Sequence, residues 1–314
     1  MRSVYGGEAA ELLRAWGDDL PELLRRFIED FYRDLPAESP LVEIIARLTP
    51  EQFTHLIERE WAYLVRIFSP EITEDEHRAA AHDTGRVHAL VGVGPQWLTD
   101  AYVRLQQRFH DFEDGRPPEI AARLSHVLDV RILLDLRAQT ATFGEISRSI
   151  TTAITHIDAQ LASAANLADL IRGTFEAIER LDGILAGLFL RADAHGELQV
   201  EASFGSGERY HHAMEAGRIP KINLDPELPA GQGPGGRAWR RGEIVSANAW
   251  MQGTEGIPWR QLGEELGYRA AAGVPLVDAS GRTVALIMLY SAFPGFFATN
   301  RVGKFLGYLQ QVLG

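Results

Sequence analysis

The sequence predicts a two-part protein: an all-α N-terminal half and an α+β C-terminal half with a mainly antiparallel sheet, joined by a helical connector. Three observations lead there. Apolar residues recur with helical spacing up to about residue 180. Beyond it they gather in short, strand-sized runs parted by turn residues. Glycine and proline also concentrate in that second half, where a sheet needs tight turns.

Taken in order, Leu20, Leu23, Leu24, Phe27, Ile28, Phe31, Tyr32 and Leu35 form one stripe on one helix, which Pro36 and Pro40 end. A second stripe runs through Phe53, Leu56, Ile57, Trp61, Leu64, Val65 and Phe68. It opens at Thr49-Pro50, an N-cap residue followed by proline in the first helical position. A third helix is expected over about 73–91. A fourth begins at Pro95 with Trp97, Leu98, Ala101, Tyr102, Leu105 and Phe109. After the break at Gly115-Arg116-Pro117-Pro118, a long helix carries Ile120, Leu124, Val127, Leu128, Ile132 and Leu136.

From Phe143 to Glu179 the chain holds no proline, and it reads as one long helix or a pair. Ile146, Ile150, Ala153, Ile157, Leu161, Ala164 and Ala168 keep a spacing of roughly 3.5, the seam of a two-stranded coiled coil. The alternative is a helix packed on its own domain. Strands are expected at 184–192, 198–203, 243–246, 270–277 and 283–290. Helices are expected at 207–215, 258–266 and 298–313. Domain boundaries follow at 1–145, 146–175 and 176–314.

Composition narrows the function classes. Of the 314 residues 46% are hydrophobic and 24% charged, enough for a real core in each half. The net charge of −12 disfavours non-specific binding to nucleic acid or an anionic membrane. There are no cysteines, which excludes disulfides, thiolate zinc sites, iron–sulfur clusters and Cys-linked chromophores. No signal-peptide pattern or 18-residue apolar run is present, so a cytoplasmic location is expected.

On the third helix Thr84, Val87, His88 and Val91 share a face, so His88 points with apolar residues. His77 lies near that face about three turns earlier, and His82 lies well away from it. The spacing is not the i, i+4 pair of a helical zinc site. An apolar-face histidine is either a core residue bonded to a carbonyl or a ligand.

The run Gly85-Arg86-Val87-His88-Ala89-Leu90-Val91-Gly92-Val93-Gly94-Pro95-Gln96-Trp97-Leu98, completed by Ala101-Tyr102, resembles the proximal-histidine segment of globin-coupled sensors. Phe31-Tyr32-x-x-Leu35 is similar to that family's distal-helix motif, and Trp61 matches a tryptophan of the next helix. The resemblance covers about residues 15–145. It implies a globin-like domain that binds haem b, with His88 as the iron ligand. It further implies that Tyr32 donates to bound oxygen, that Leu64, Val65 and Phe68 wall the distal side, and that Trp97 and Tyr102 pack beneath the proximal side. The free nitrogen of His88 should donate to a carbonyl or hydroxyl that sets its tautomer.

The C-terminal half resembles a GAF domain. The residues that carry this are Gly231-x-Gly233-Pro234-Gly235-Gly236-Arg237-Ala238-Trp239, Gly267-Tyr268-Arg269-Ala270, Val274-Pro275-Leu276, and Leu289-Tyr290-Ser291. The glycine-rich run lacks the Gly-Lys-Ser/Thr of a phosphate loop and is expected to be a tight turn into a helix. Together the resemblances imply a dimeric oxygen sensor, open also to CO or NO. It would relay through the connector and GAF domain to an output domain or partner in cyclic-di-GMP signalling. No cyclase signature or other catalytic constellation is present, so no enzyme activity is expected in this chain. The alternative is a haem-free signalling and dimerisation scaffold whose GAF domain binds a small ligand.

Overall fold

The computed structural model describes residues 3–17, 19–37, 39–113, 117–250 and 257–314. Gly115 and Arg116 of the predicted break lie outside them. Contacts divide the chain into two units, residues 1–89 with 93–145, and residues 90–92 with 146–314.

The first unit is helical. Its elements are α1 (Gly7–Arg14), α2 (Asp19–Arg33), α3 (Pro40–Ile45), α4 (Pro50–Ile67), α5 (Glu74–Val91), α6 (Pro95–Glu113) and the start of α7 (Pro118–Ser163). The start of α4 is the one expected. The Thr49 hydroxyl accepts from the Gln52 amide, the Gln52 side chain accepts from the Thr49 amide, and Pro50 fills the first turn. The sequence reading missed α1 and α3. The short α3 starts where Pro40 was expected only to stop a helix, and Ser39 caps it by accepting from the Leu41 amide. Leu24, Ile28, Ile67, Phe68, Leu105, Phe109, Leu124 and Leu128 are buried in one core.

Leu124, Val127, Leu128 and Ile132 of the stripe expected on α7 are buried in this core, but the two ends of the stripe are not. Ile120 is exposed and Leu136 half-buried, whereas Arg131, Asp135, Gln139 and Thr142 are buried beside Leu128 and Ile132. Arg131 is held by carbonyls: its Nε donates to Val4 O at 3.0 Å and its Nη1 to Ile67 O at 3.0 Å and Ser69 O at 2.8 Å.

The second unit holds the tail of α7, α8 (Leu167–Glu179), β1 (Ile184–Ala192), β2 (Leu198–Gly205), α9 (Gly207–Glu215), α10 (Pro234–Arg241), β3 (Val245–Ala247), α11 (Arg260–Glu265), β4 (Ala270–Val277), β5 (Thr283–Ser291) and α12 (Asn300–Leu313). The strands form an antiparallel sheet in the order β2-β1-β5-β4-β3. Side chains alternate between its two faces. Ala285, Ile287 and Leu289 of β5 join one core with α8 and α12, and Leu286, Met288 and Tyr290 join the other with α9 and α10. Helices on both faces explain why β4 and β5 read as unbroken apolar runs. The second core is aromatic: Tyr268 stacks on Tyr290 with ring centroids 4.5 Å apart, and Tyr210 lies 5.3 Å from Tyr290.

The glycine-rich run is a turn into α10, as expected. A Cβ on Gly236 would lie 2.4 Å from the Gly231 carbonyl oxygen, and one on Gly235 would lie 3.1 Å from Met288 Sδ. Only hydrogen side chains let this helix start so close to the sheet.

The first part of the coiled-coil seam packs within the chain. Ala153 and Ile157 are buried in the same core as Ile171, Phe175 and Phe305, and Ile146 and Ile150 pack against it. Tyr308 of α12 donates to Asp158 of α7 at 2.6 Å. Leu161 is left exposed. Residues 146–163, expected as connector, therefore belong to the second unit. Ile157→Ala should destabilise that unit by about 2–5 kcal/mol, read as a lower urea midpoint with unchanged slope.

Candidate functional site

The site begins where two helix backbones touch. A Cβ on Gly85 of α5 would lie 2.4 Å from the Cα of Gln139 on α7 and 2.6 Å from its carbonyl oxygen. No real side chain fits there, so glycine sets how closely α5 and α7 approach. His88 stands one turn on from Gly85 on the same face. At that separation its Nδ1 lies 2.9 Å from the Gln139 amide oxygen.

The Gln139 amide is oriented by its other end. Its Nε2 donates to Asp135 Oδ2 at 2.6 Å and to the Tyr102 hydroxyl at 2.9 Å, with the Tyr63 hydroxyl 3.3 Å away. A carboxylate accepts only, so the amide nitrogen must face it and the amide oxygen must face His88. His88 Nδ1 is then the N–H donor, and the lone pair sits on Nε2. Burial pulls the His88 pKa down, against the Gln139 hydrogen bond and the Asp135 charge, so the ring is neutral near pH 7. A neutral imidazole with a defined free nitrogen is what a metal requires.

Asp135 is the hub of this network. Besides Gln139 it accepts from Tyr63 at 2.5 Å, from Tyr102, and from His77 Nε2 at 3.0 Å. His77 spends its N–H on the carboxylate, so its Nδ1 accepts from the Tyr5 hydroxyl at 2.8 Å. The chain of bonds thus runs from Tyr5 through His77, Asp135 and Gln139 to His88. Four donors on one buried carboxylate offset its loss of water.

A second polar pair stands one turn along α4 from Tyr63. The Tyr32 hydroxyl donates to Glu60 Oε1 at 2.7 Å. Burial pushes the Glu60 carboxyl up to about 7, and it raises the Tyr32 hydroxyl far above its usual range. Phe53 meets the Tyr32 ring edge-on at 5.5 Å. Tyr32, Phe53, Ile57, Glu60 and His88 are each only half-buried, yet burial dominates the shifts of the ionisable ones.

Of the residues expected at the site, His88 and Tyr102 are brought together through Gln139. Tyr32 meets Glu60. Leu64 is buried in the core and Val65 packs half-buried against it. Phe68 meets Phe109 edge-on at 5.1 Å within that core. Trp97 is half-buried in the first turn of α6. Trp61 faces α2, donating to Pro21 O at 3.0 Å beneath the Arg25 guanidinium. Sequence reasoning missed Tyr5, Glu60, Tyr63, Asp135 and Gln139. A signal was present at Arg131, Asp135 and Gln139, a polar stripe at i, i+4 and i+8, but on a helix surface such a stripe reads as a solvated face.

These residues fit a haem. The structure supplies one neutral imidazole with an oriented Nε2, half-buried Phe53 and Ile57 on α4, and a polar pair one turn along α4 from the network that orients His88. Gly85→Ala should destabilise the helical unit by about 1–3 kcal/mol in urea unfolding, because α5 must move off α7. Gln139→Leu keeps the helix contact but removes the acceptor. Nitrogen-15 NMR of the His88 ring should then show mixed neutral tautomers where the parent shows one.

Comparison with known proteins agrees with this architecture. The protoglobin family profile matches residues 6–117, and a GAF domain profile matches residues 164–309. Asp135 and Gln139 lie beyond the first match. No curated protein matches the chain. Among solved structures, the free methionine-R-sulfoxide reductase of Neisseria meningitidis, in complex with its substrate, is 16% identical over 53% of this chain and 89% of its own, with a TM-score of 0.38. The fRMsr of Staphylococcus aureus is 11% identical over 52% and 95%, with a TM-score of 0.38. A GAF domain of A. aeolicus, in an inactive state, is 11% identical over 53% and 90%, also with a TM-score of 0.38. Likenesses this distant say nothing of activity. The chain joins a protoglobin domain to a GAF domain, and that is the domain order of a globin-coupled sensor.

Proposed function

We propose that this chain is a haem-based gas sensor, with His88 Nε2 as the iron ligand of haem b and oxygen, or CO or NO, as the gas. The observation that carries the reading is the Gln139 hydrogen bond, which commits Nδ1 and leaves Nε2 free to bind a metal. When bound, haem supplies an iron whose open face takes up a diatomic gas.

The protein's own part is to hold the ring and to report its position. Gln139, fixed by Asp135, keeps the imidazole in one tautomer and one orientation. A shift of His88 displaces Gln139, and Gln139 is part of α7, which continues without a break to Ser163. Gas binding would bias two states of this helix, and the GAF domain would pass the bias to an output domain or partner. A homodimer and an output in cyclic-di-GMP signalling complete the proposal, with no catalysis in this chain itself.

The test is the absorption spectrum of the purified chain, reduced and then exposed to oxygen or CO. An intense blue-region haem band that shifts with gas is expected; a colourless protein that takes up no added haem overturns the reading. His88→Ala should lose haem on gel filtration, and normal retention would remove His88 from the ligand role.

A further inference from the structure

The resemblance to other sensors leads one to expect the Tyr32 hydroxyl to face a bound gas. In the structure its hydrogen goes instead to Glu60, at 2.7 Å. Among the described residues, no charged side chain pairs with Glu60. Tyr32 is the one ionisable side chain that contributes to its shift. On α2 and α4, Arg25 pairs with Glu58 at 2.8 Å, Asp30 pairs with Arg33 and Arg108, and Tyr63 donates to Asp135. On α5, His88 is influenced by Gln139 and Asp135, not by Glu60.

We propose that Glu60 is a specificity-determining residue, controlling whether Tyr32 can donate a hydrogen bond to a diatomic ligand. The proposal rests on the haem reading above. An ionised Glu60 accepts only, so it claims the hydroxyl hydrogen and leaves the tyrosine nothing to donate. That state penalises oxygen, which gains from a donor, more than CO, which gains little. A protonated Glu60 donates to the tyrosine oxygen, and the tyrosine hydrogen then turns to the ligand. Two donors in series also polarise one another. Glu60 takes its proton from solvent as pH falls through about 7, so oxygen is held more tightly below neutrality and more loosely above it.

The test uses the full haem-loaded chain. Oxygen dissociation followed by stopped flow should quicken about tenfold from about pH 6 to about pH 8, the effect of one charge-sensitive hydrogen bond, while CO dissociation changes little. Glu60→Gln should abolish this pH dependence, and Tyr32→Phe should give fast oxygen release throughout. Infrared spectra should show a carboxylic-acid band that titrates near neutrality and is absent from Glu60→Gln. This band is readable without haem, as is the parent's fold. A haem-loaded parent with a flat oxygen profile, or a Glu60→Gln variant with the parent's slope, overturns this proposal and leaves the haem reading standing. A chain that takes up no haem overturns both.

Discussion

The contact between Gly85 and the backbone of Gln139 is the constraint on which the rest of the site depends. Helices with side chains at their crossing pack about 8–10 Å apart. A glycine there lets α5 and α7 come closer, and the shorter separation brings the Gln139 amide within reach of His88. Two later properties of the ring follow, its tautomer and its orientation; its neutral state comes from burial. The Gly-x-x-His spacing thus has a physical meaning. The glycine makes room, and one turn later the histidine uses it.

Beneath that contact lies a polar network inside an otherwise apolar core. A buried carboxylate is expensive unless every lone pair is met, and Asp135 is met by His77, Tyr63, Tyr102 and Gln139. Its members come from α4, α5, α6, α7 and, through Tyr5, the segment before α1. Leucines in their place would hold the helices together as well, but they would leave the His88 ring free to turn. The geometry therefore favours specificity of orientation over raw stability. The Tyr32–Glu60 pair differs in kind. It has two members and, among the described residues, no compensating cation, so its arrangement is sensitive to one proton.

The second unit solves a different problem. Its antiparallel sheet is covered on both faces, by α8 and α12 on one side and α9 and α10 on the other. The end of α7 completes the first of those layers through Ala153 and Ile157. A single helix therefore carries a residue that bonds His88 and residues that belong to the sheet's core. The aromatic packing of Tyr210, Tyr268 and Tyr290 fills the opposite face with rings.

Much of this was legible from local pattern. Helical spacing on one side and strand-sized apolar runs on the other separated the halves, and Thr49-Pro50 placed the start of α4. Strands β1 and β4 were bounded correctly from their apolar runs and the turns that follow them. His88 was picked out by its apolar face, and Gly85 by its place in a motif. These features are written in residues near one another, and backbone sterics or amphipathicity suffices to read them. The partners of those residues were not legible. Gln139 lies 51 positions from His88, and Glu60 lies 28 from Tyr32. A glutamine or an aspartate on a helix looks solvent-facing until another helix is laid over it. The coiled-coil seam shows the same limit. Its spacing required an apolar partner, but whether that partner was a second chain or the chain's own α8 and α12 depended on where the sheet folded back. Sequence by itself determined which faces must be buried; tertiary structure decided what buries them, because hydrophobic burial is non-directional while hydrogen bonds and helix crossings depend on distances of a few ångströms.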